Sequence, residues 1–201
     1  MAPDYAFEEQ ARADGARVIC GVDEVGRGPL AGPVVAAAAI LPPDLPEALL
    51  NRLNDSKKLT AKAREDIFGQ LIDVVDYGVG RAEPEEIDRI NILQASLTAM
   101  VRAIGELSAA PDYALVDGNR LPRDLPCKGL PVVKGDSRSL SIAAASIIAK
   151  VIRDREMAAL AEAHPHYGWE RNAGYGTAEH RAAIATHGLT SAHRRSFAGC
   201  R

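Results

Sequence analysis

Cys20-Gly-Val-Asp-Glu-Val-Gly-Arg-Gly-Pro-Leu-Ala-Gly-Pro-Val35 is the stretch on which the reading of this chain turns. It sets two adjacent carboxylates, Asp23 and Glu24, at the end of an apolar run and follows them with glycines. A buried ionised carboxylate is costly unless it is paired or bound to a metal. Neighbouring strand residues point to opposite faces, so both acids can serve one site only if the strand ends or bulges there. Gly26 and Gly28 permit such a bend and let a ligand approach the backbone closely. The local reading is a metal site beside a backbone-lined recognition loop.

Outward from this stretch, residues 18–23 and 34–41 read as two strands joined by the glycine loop. Thr60 can cap a helix to about Val75, with Ile67, Phe68, Leu71, Ile72 and Val75 at helical spacing. Tyr77–Ala82 reads as a short strand. Pro84 can open a helical stretch to about Leu107, which Asn91 can interrupt. Tyr113–Val116 is a strand ending at Asp117, and Leu130–Val133 a strand ending just before Gly135-Asp136. Residues 139–163 and 177–187 read as helices, the second stopped by Gly188. This order predicts an α/β chain with a mixed sheet flanked by helices.

A single domain is expected for 201 residues, and 47% apolar with 25% charged residues is ordinary for a globular protein. No segment reaches the apolar length that spans a bilayer, and Met1-Ala-Pro-Asp-Tyr-Ala-Phe-Glu-Glu lacks the pattern of a signal peptide. Three cysteines without CxxC spacing indicate neither a disulfide framework nor a zinc knuckle. A cytoplasmic protein without membrane association is expected. The net charge of −3 counts against a passive nucleic-acid binder. Residues 134–201, however, carry ten Lys/Arg against six Asp/Glu, a balance that suits a phosphate backbone. Charge alone still favours the blander reading of an unevenly charged surface.

Asp117 and Asp136 join Asp23 and Glu24 as acids at strand ends or just beyond. Hard oxygen ligands of this kind suit magnesium or manganese. Two such ions about 3.5–4 Å apart can activate a water and stabilise a leaving oxygen in phosphoryl displacement. Taken singly, each acid reads more often as a solvated turn residue or cap. Gly26-Arg27-Gly28 taken alone reads as a turn, and Lys57-Lys58 as solvated surface. Tyr175, between Gly174 and Gly176, reads equally as a buried ring closing a turn or as a contact residue. Ser139, Ser141 and Ser146 read as close-packing residues, with Ser139 or Ser141 also placed to touch a phosphate. His164-Pro-His166 reads as surface, His193-Arg194-Arg195 as basic surface, and Trp169 as partly buried packing.

The glycine-rich stretch resembles the opening signature of ribonuclease HII, and further motifs follow in that family's order. They are Asp55-Ser-Lys-Lys-Leu59, Val116-Asp-Gly-Asn119, Lys134-Gly-Asp136, Ser141-Ile-Ala-Ala-Ala-Ser-Ile-Ile-Ala-Lys-Val151, Gly174-Tyr-Gly-Thr177 and His193-Arg-Arg-Ser-Phe197. The resemblance covers about residues 18–197. It implies a ribonuclease H-like fold, with a five-stranded mixed sheet and additional C-terminal helices. It also implies a catalytic domain over residues 18–201 behind an extension of residues 1–17.

By the same resemblance Asp23, Glu24, Asp117 and Asp136 are the catalytic metal ligands, holding Mg2+ or Mn2+. Gly26, Arg27 and Gly28 sense a ribose 2′-hydroxyl, Lys57 and Lys58 face the nucleic-acid backbone, and Tyr175 packs on the neighbouring sugar. Ala173 stands where the family often has lysine, which removes one phosphate contact. The implied activity is endonucleolytic hydrolysis of the RNA strand of RNA–DNA hybrids. Cutting on the 5′ side of single ribonucleotides in duplex DNA is also implied, leaving 3′-hydroxyl and 5′-phosphate ends, with a role in ribonucleotide removal during replication and repair. The implied partners are the RNA–DNA hybrid and the ribonucleotide-containing DNA duplex. No obligate protein partner is indicated, and a monomer is expected.

Three other readings compete. Ribonuclease HIII usually carries an N-terminal substrate-binding domain and a Gly-Thr-Gly loop, whereas the loop here is Gly-Arg-Gly. A non-catalytic hybrid-binding module would gain by losing acids that face phosphates. A small-molecule metallohydrolase would not bind duplexes at all.

Overall fold

The structure, a computed structural model, describes residues 2–200. The elements run α1 (Ala6–Ala13), β1 (Ile19–Val25), β2 (Val34–Ile40), α2 (Glu47–Leu50), α3 (Ala61–Leu71), β3 (Asp76–Ala82) and α4 (Pro84–Ile90). They continue with α5 (Ile92–Gly105), β4 (Tyr113–Asp117), β5 (Lys128–Val132), α6 (Leu140–Ala163), α7 (Trp169–Asn172) and α8 (Ala178–His187). Among the described residues the five strands form one mixed sheet in the order β3-β2-β1-β4-β5. β1 is antiparallel to β2 and parallel to β4. The expected α/β class and five-stranded mixed sheet are what the structure shows.

Both faces of the sheet are covered, which is why β2 reads Val-Val-Ala-Ala-Ala-Ala-Ile with no polar residue. Ala37 and Ala39 pack on the side of α3 and α6, while Val34, Ala36 and Ala38 pack against α5. Small side chains let the helices come close. One such close approach is at Gly21, where an added Cβ would stand 2.1 Å from the backbone carbon of Ser141. The first turn of α6 therefore rests on the backbone of β1, two residues before Asp23.

Local chemistry accounts for the helix limits. Thr60 caps α3 through a bond from the Ala63 N–H, and Thr177 caps α8 in the same way. The apolar stretch from Pro84 to Leu107 divides into two helices at Asn91, whose φ of 68° is left-handed. The Asn91 Oδ1 accepts the N–H groups of Leu93 and Gln94 and so starts α5. The helix α1 is not legible in the pattern of residues 1–17, since it has no side-chain cap. It is tied down by Glu8, whose buried Oε1 accepts both the Ser139 and Ser141 hydroxyls at 2.6 Å. Those serines are thus buried and occupied at the start of α6, which corrects the reading that one of them reaches a phosphate.

Candidate active site

β1 does not end at its acids. Asp23 pairs with Ala37, Glu24 with Ala36 and Val25 with Val35 on β2. What ends is the other edge, since the pairing of β1 with β4 stops at Val22↔Val116. β4 carries one more residue, Asp117, before it too stops. The sheet is thus open between β1 and β4, and the carboxylates meet across the opening. One oxygen from each of Asp23, Glu24 and Asp117 lies within 4.8 Å of the others. The alternation that should send Asp23 and Glu24 apart is overcome by a missing neighbour rather than by a bulge.

Asp117 is aimed by the turn that follows β5, where its Oδ1 accepts the Gly135 N–H at 2.6 Å. Asp136 follows in the 3-10 turn Gly135–Ser137 and is buried beside the trio rather than within it. Burial holds the Asp23 carboxyl well above its usual range, and the charges of Glu24, Asp117 and Asp136 push it the same way. Glu24 is raised chiefly by burial, with Arg27 opposing. Asp136 is raised by burial and by Asp117, with Lys57 opposing.

Two side-chain cations reach this cluster. Arg27 Nη1 lies 3.2 Å from Glu24 Oε1, and Lys57 Nζ lies 3.6 Å from Asp136 Oδ2. Lys58 remains exposed on the same turn. Glu24 Oε2 is buried with no partner. Four acids that two side-chain cations only partly neutralise, with one carboxylate oxygen left orphaned, make a donor set of hard oxygens that fits a divalent cation.

Two hollows flank the acids and share Glu24. One of about 290 Å³ lies between Glu24, Arg27, Asp117, Asn119, Arg120 and the α5 side chains Leu93, Leu97 and Met100. The other, about 260 Å³, is lined by Asp23, Glu24, Lys57, Arg64, Lys150 and Tyr175. Tyr175 is 49% exposed, so it does not close the turn as a buried ring. Its Cε1 would stand 3.3 Å from a Cβ added at Gly28. The two glycine-flanked motifs therefore form adjoining walls.

The glycine loop is held from behind by two arginines that the linear pattern does not reveal. Arg194 and Arg153 are 0% and 1% exposed. Arg194 donates to the carbonyls of Gly26, Arg27, Pro29 and Gly32. Arg153 donates to those of Ala31, Pro33 and Ala173. His193-Arg194-Arg195 is therefore not a basic surface throughout: His193 and Arg194 are buried, Arg194 on backbone oxygens and His193 against Thr190 and His180, and only Arg195 is exposed. Arg153 opens the charged stretch Arg153-Asp154-Arg155-Glu156 of α6 and is not set apart by its neighbours. Nothing in the sequence marks Arg194, because carbonyl partners have no residue type.

Behind Tyr175 runs a buried polar chain. The Trp169 indole N–H donates to His180 Nε2 at 3.0 Å, so that nitrogen is an acceptor and His180 Nδ1–H donates to the Tyr175 carbonyl. His193 Nδ1 accepts the Thr190 N–H, which leaves its Nε2–H to donate to His180 Nε2. Trp169 is thus fully buried and hydrogen-bonded, not merely partly buried packing.

Comparison with known proteins identifies the family and the fold. The family model described as Ribonuclease HII matches residues 20–200. A ribonuclease HII of Paracoccus denitrificans is 59% identical over 197 residues, 98% of this chain and 92% of the relative. The solved ribonuclease H2 of Pyrococcus horikoshii superposes with a TM-score of 0.76 at 30% identity, covering 92% of this chain and 96% of that one. A Bst ribonuclease HIII solved with Mn2+ shares the fold, with a TM-score of 0.71 at 22% identity over 94% of this chain and 70% of that one.

Proposed function

The chain belongs to the ribonuclease HII family, and from that premise we propose how this ribonuclease H, an endonuclease of RNA–DNA hybrids, selects and cuts its substrate. It cuts on the 5′ side of a single ribonucleotide in duplex DNA, leaving a 3′-hydroxyl and a 5′-phosphate. Its work is ribonucleotide removal during replication and repair, in the cytoplasm and as a monomer. Residues 18–201 act as the catalytic domain and residues 1–17 as an extension to it. The observation that carries the reading is the contiguity of the open-edged carboxylates, the Gly26-Arg27-Gly28 loop and Tyr175.

Asp23, Glu24, Asp117 and Asp136 hold the divalent cation, Mg2+ or Mn2+. The Mn2+ bound by the Bst ribonuclease HIII, a protein of the same fold, supports this choice. When bound, such ions supply Lewis-acid activation of water and neutralise charge on the phosphate being cut. The protein's own part is placement. Arg27 lies over Glu24 and offers its guanidinium fork to the phosphate or ribose. Lys57 and Lys58 meet the backbone phosphates. The loop's backbone takes the 2′-hydroxyl, which can both donate and accept. Tyr175 lies against the next sugar, where a deoxyribose leaves room for the ring.

The test is a duplex carrying one ribonucleotide, incubated with magnesium and with manganese and sized on a gel. The expected product is a single cut 5′ to the ribonucleotide, dependent on the ion. No cut in that duplex, with a long hybrid still degraded, would overturn the proposed selectivity.

A further inference from the structure

The Gly26–Pro33 loop has almost no ladder of its own, yet its shape must be held for it to read one hydroxyl group. Arg194 supplies that shape. All five N–H groups of its guanidinium are used, every one on a loop carbonyl. Nη2 donates to Gly26 at 2.5 Å and Gly32 at 2.8 Å, Nη1 to Arg27 at 3.0 Å and Pro29 at 2.8 Å, and Nε to Gly32 at 3.0 Å. Among the described residues it makes no salt bridge. A buried cation without a carboxylate is expensive, and here the carbonyl dipoles offset that cost, together with the Phe197 ring 5.1 Å from the guanidinium carbon.

The arrangement has a directional result. The peptides are trans, so a carbonyl turned inward sends the N–H of the next residue outward. Fixing the Gly26 and Arg27 carbonyls on Arg194 turns out the N–H groups of Arg27 and Gly28. Neither has a partner among the described residues. Two consecutive free donors at the rim of the metal site are suited to an oxygen acceptor.

We propose that Arg194 is the positioning residue for ribose recognition, aiming the Arg27 and Gly28 amides at the 2′-oxygen without itself touching nucleic acid. The inference rests on the reading that this loop senses the 2′-hydroxyl. The competing role is purely structural, in which Arg194 only fastens residues 190–197 to the core.

The two are separated by measuring KM for a single-ribonucleotide duplex, the inhibition constant of its all-deoxy counterpart, and thermal stability. Arg194→Lys keeps the charge but loses the fork. It should lower the ratio of inhibition constant to KM by about tenfold or more, a size typical of a displaced recognition group, while the inhibition constant itself stays unchanged. Asp88→Ala is the second variant. The Asp88 carboxylate accepts the Arg195 and Ser196 N–H groups and so carries the segment on which Arg194 sits; its loss should move the ratio the same way by a smaller factor. A parent ratio near one would overturn the reading of the loop and this inference with it. A high parent ratio retained by folded Arg194→Lys, or by Asp88→Ala should the lysine variant fail to fold, overturns the inference alone.

Discussion

Gly28 and Tyr175 face each other closely enough that a methyl group on the glycine would touch the tyrosine ring, at 3.3 Å from Cε1. The Gly26-Arg27-Gly28 loop and the Tyr175 ring are thus two sides of one contact. Tyr175→Ala removes a half-exposed ring whose hydroxyl makes no hydrogen bond among the described residues, so the melting temperature should change little. Cleavage of a single embedded ribonucleotide should fall much more than degradation of a long hybrid. Equal losses on both substrates, with a melting temperature several degrees lower, would assign the ring to structure instead.

Asp136→Asn should nearly abolish cleavage while the protein stays folded. Loss of one electrostatic contribution at the reacting centre is worth about 3 kcal/mol, on the order of a hundredfold in rate. Stability should move the other way. The Asp136 pKa is raised above its ordinary 3.8 in the folded state, so ionising it works against folding. That penalty is absent below pH 3.8 and grows as pH rises through the window above it. Without metal, the asparagine variant should melt with the parent at acid pH and above it at neutral pH. Near-normal turnover in magnesium would make Asp136 a bystander.

His193 should make the protein acid-sensitive. Burial, with His180 adding to it, pulls its pKa from 6.5 down to about 4. The hydrogen-bond chain also suits a neutral ring, because a proton on Nδ1 would confront the Thr190 N–H. A base whose folded pKa is depressed contributes full stability above 6.5 and loses it as pH falls toward 4. His193→Gln should melt lower than the parent at pH 7.5 but with a flatter dependence down to pH 4.5. Parallel curves for the two proteins would show that His193 does not carry the transition.

Glu8→Ala should destabilise the chain by about 1–3 kcal/mol, the cost of leaving buried donors without an acceptor. The Ser139 and Ser141 hydroxyls and the Ser141 N–H all converge on Glu8 Oε1. Glu8→Gln keeps one oxygen and should lose less. Urea unfolding of both variants measures the difference, and an unchanged midpoint for Glu8→Ala would show that α1 only rests on the surface.

How much of this was legible follows from what each partner is. The strands of Val34–Ile40 and Tyr113–Val116 announce themselves by unbroken apolar character, α3 by its cap Thr60, and the break between α4 and α5 by Asn91. The meeting of Asp23 with Glu24 was misread in its cause, because where strand pairing stops is a property of two strands and not of one. Arg194 was misread outright. A run of His-Arg-Arg looks solvated unless the chain supplies carbonyls to receive it, and those lie in a loop far away in sequence. The α1 helix was missed because its anchor, Glu8, finds its donors on α6.

The clearance at Gly21 has a reach beyond packing. With the Ser141 backbone pressed onto β1, the helix that begins just after Asp136 and the strand that carries Asp23 and Glu24 are in direct register. A single methyl at position 21 would act as a wedge, lifting the start of α6 and with it the Gly135–Ser137 turn. The distance between two carboxylates on separate elements is thereby gauged by a residue with no side chain and no chemistry of its own.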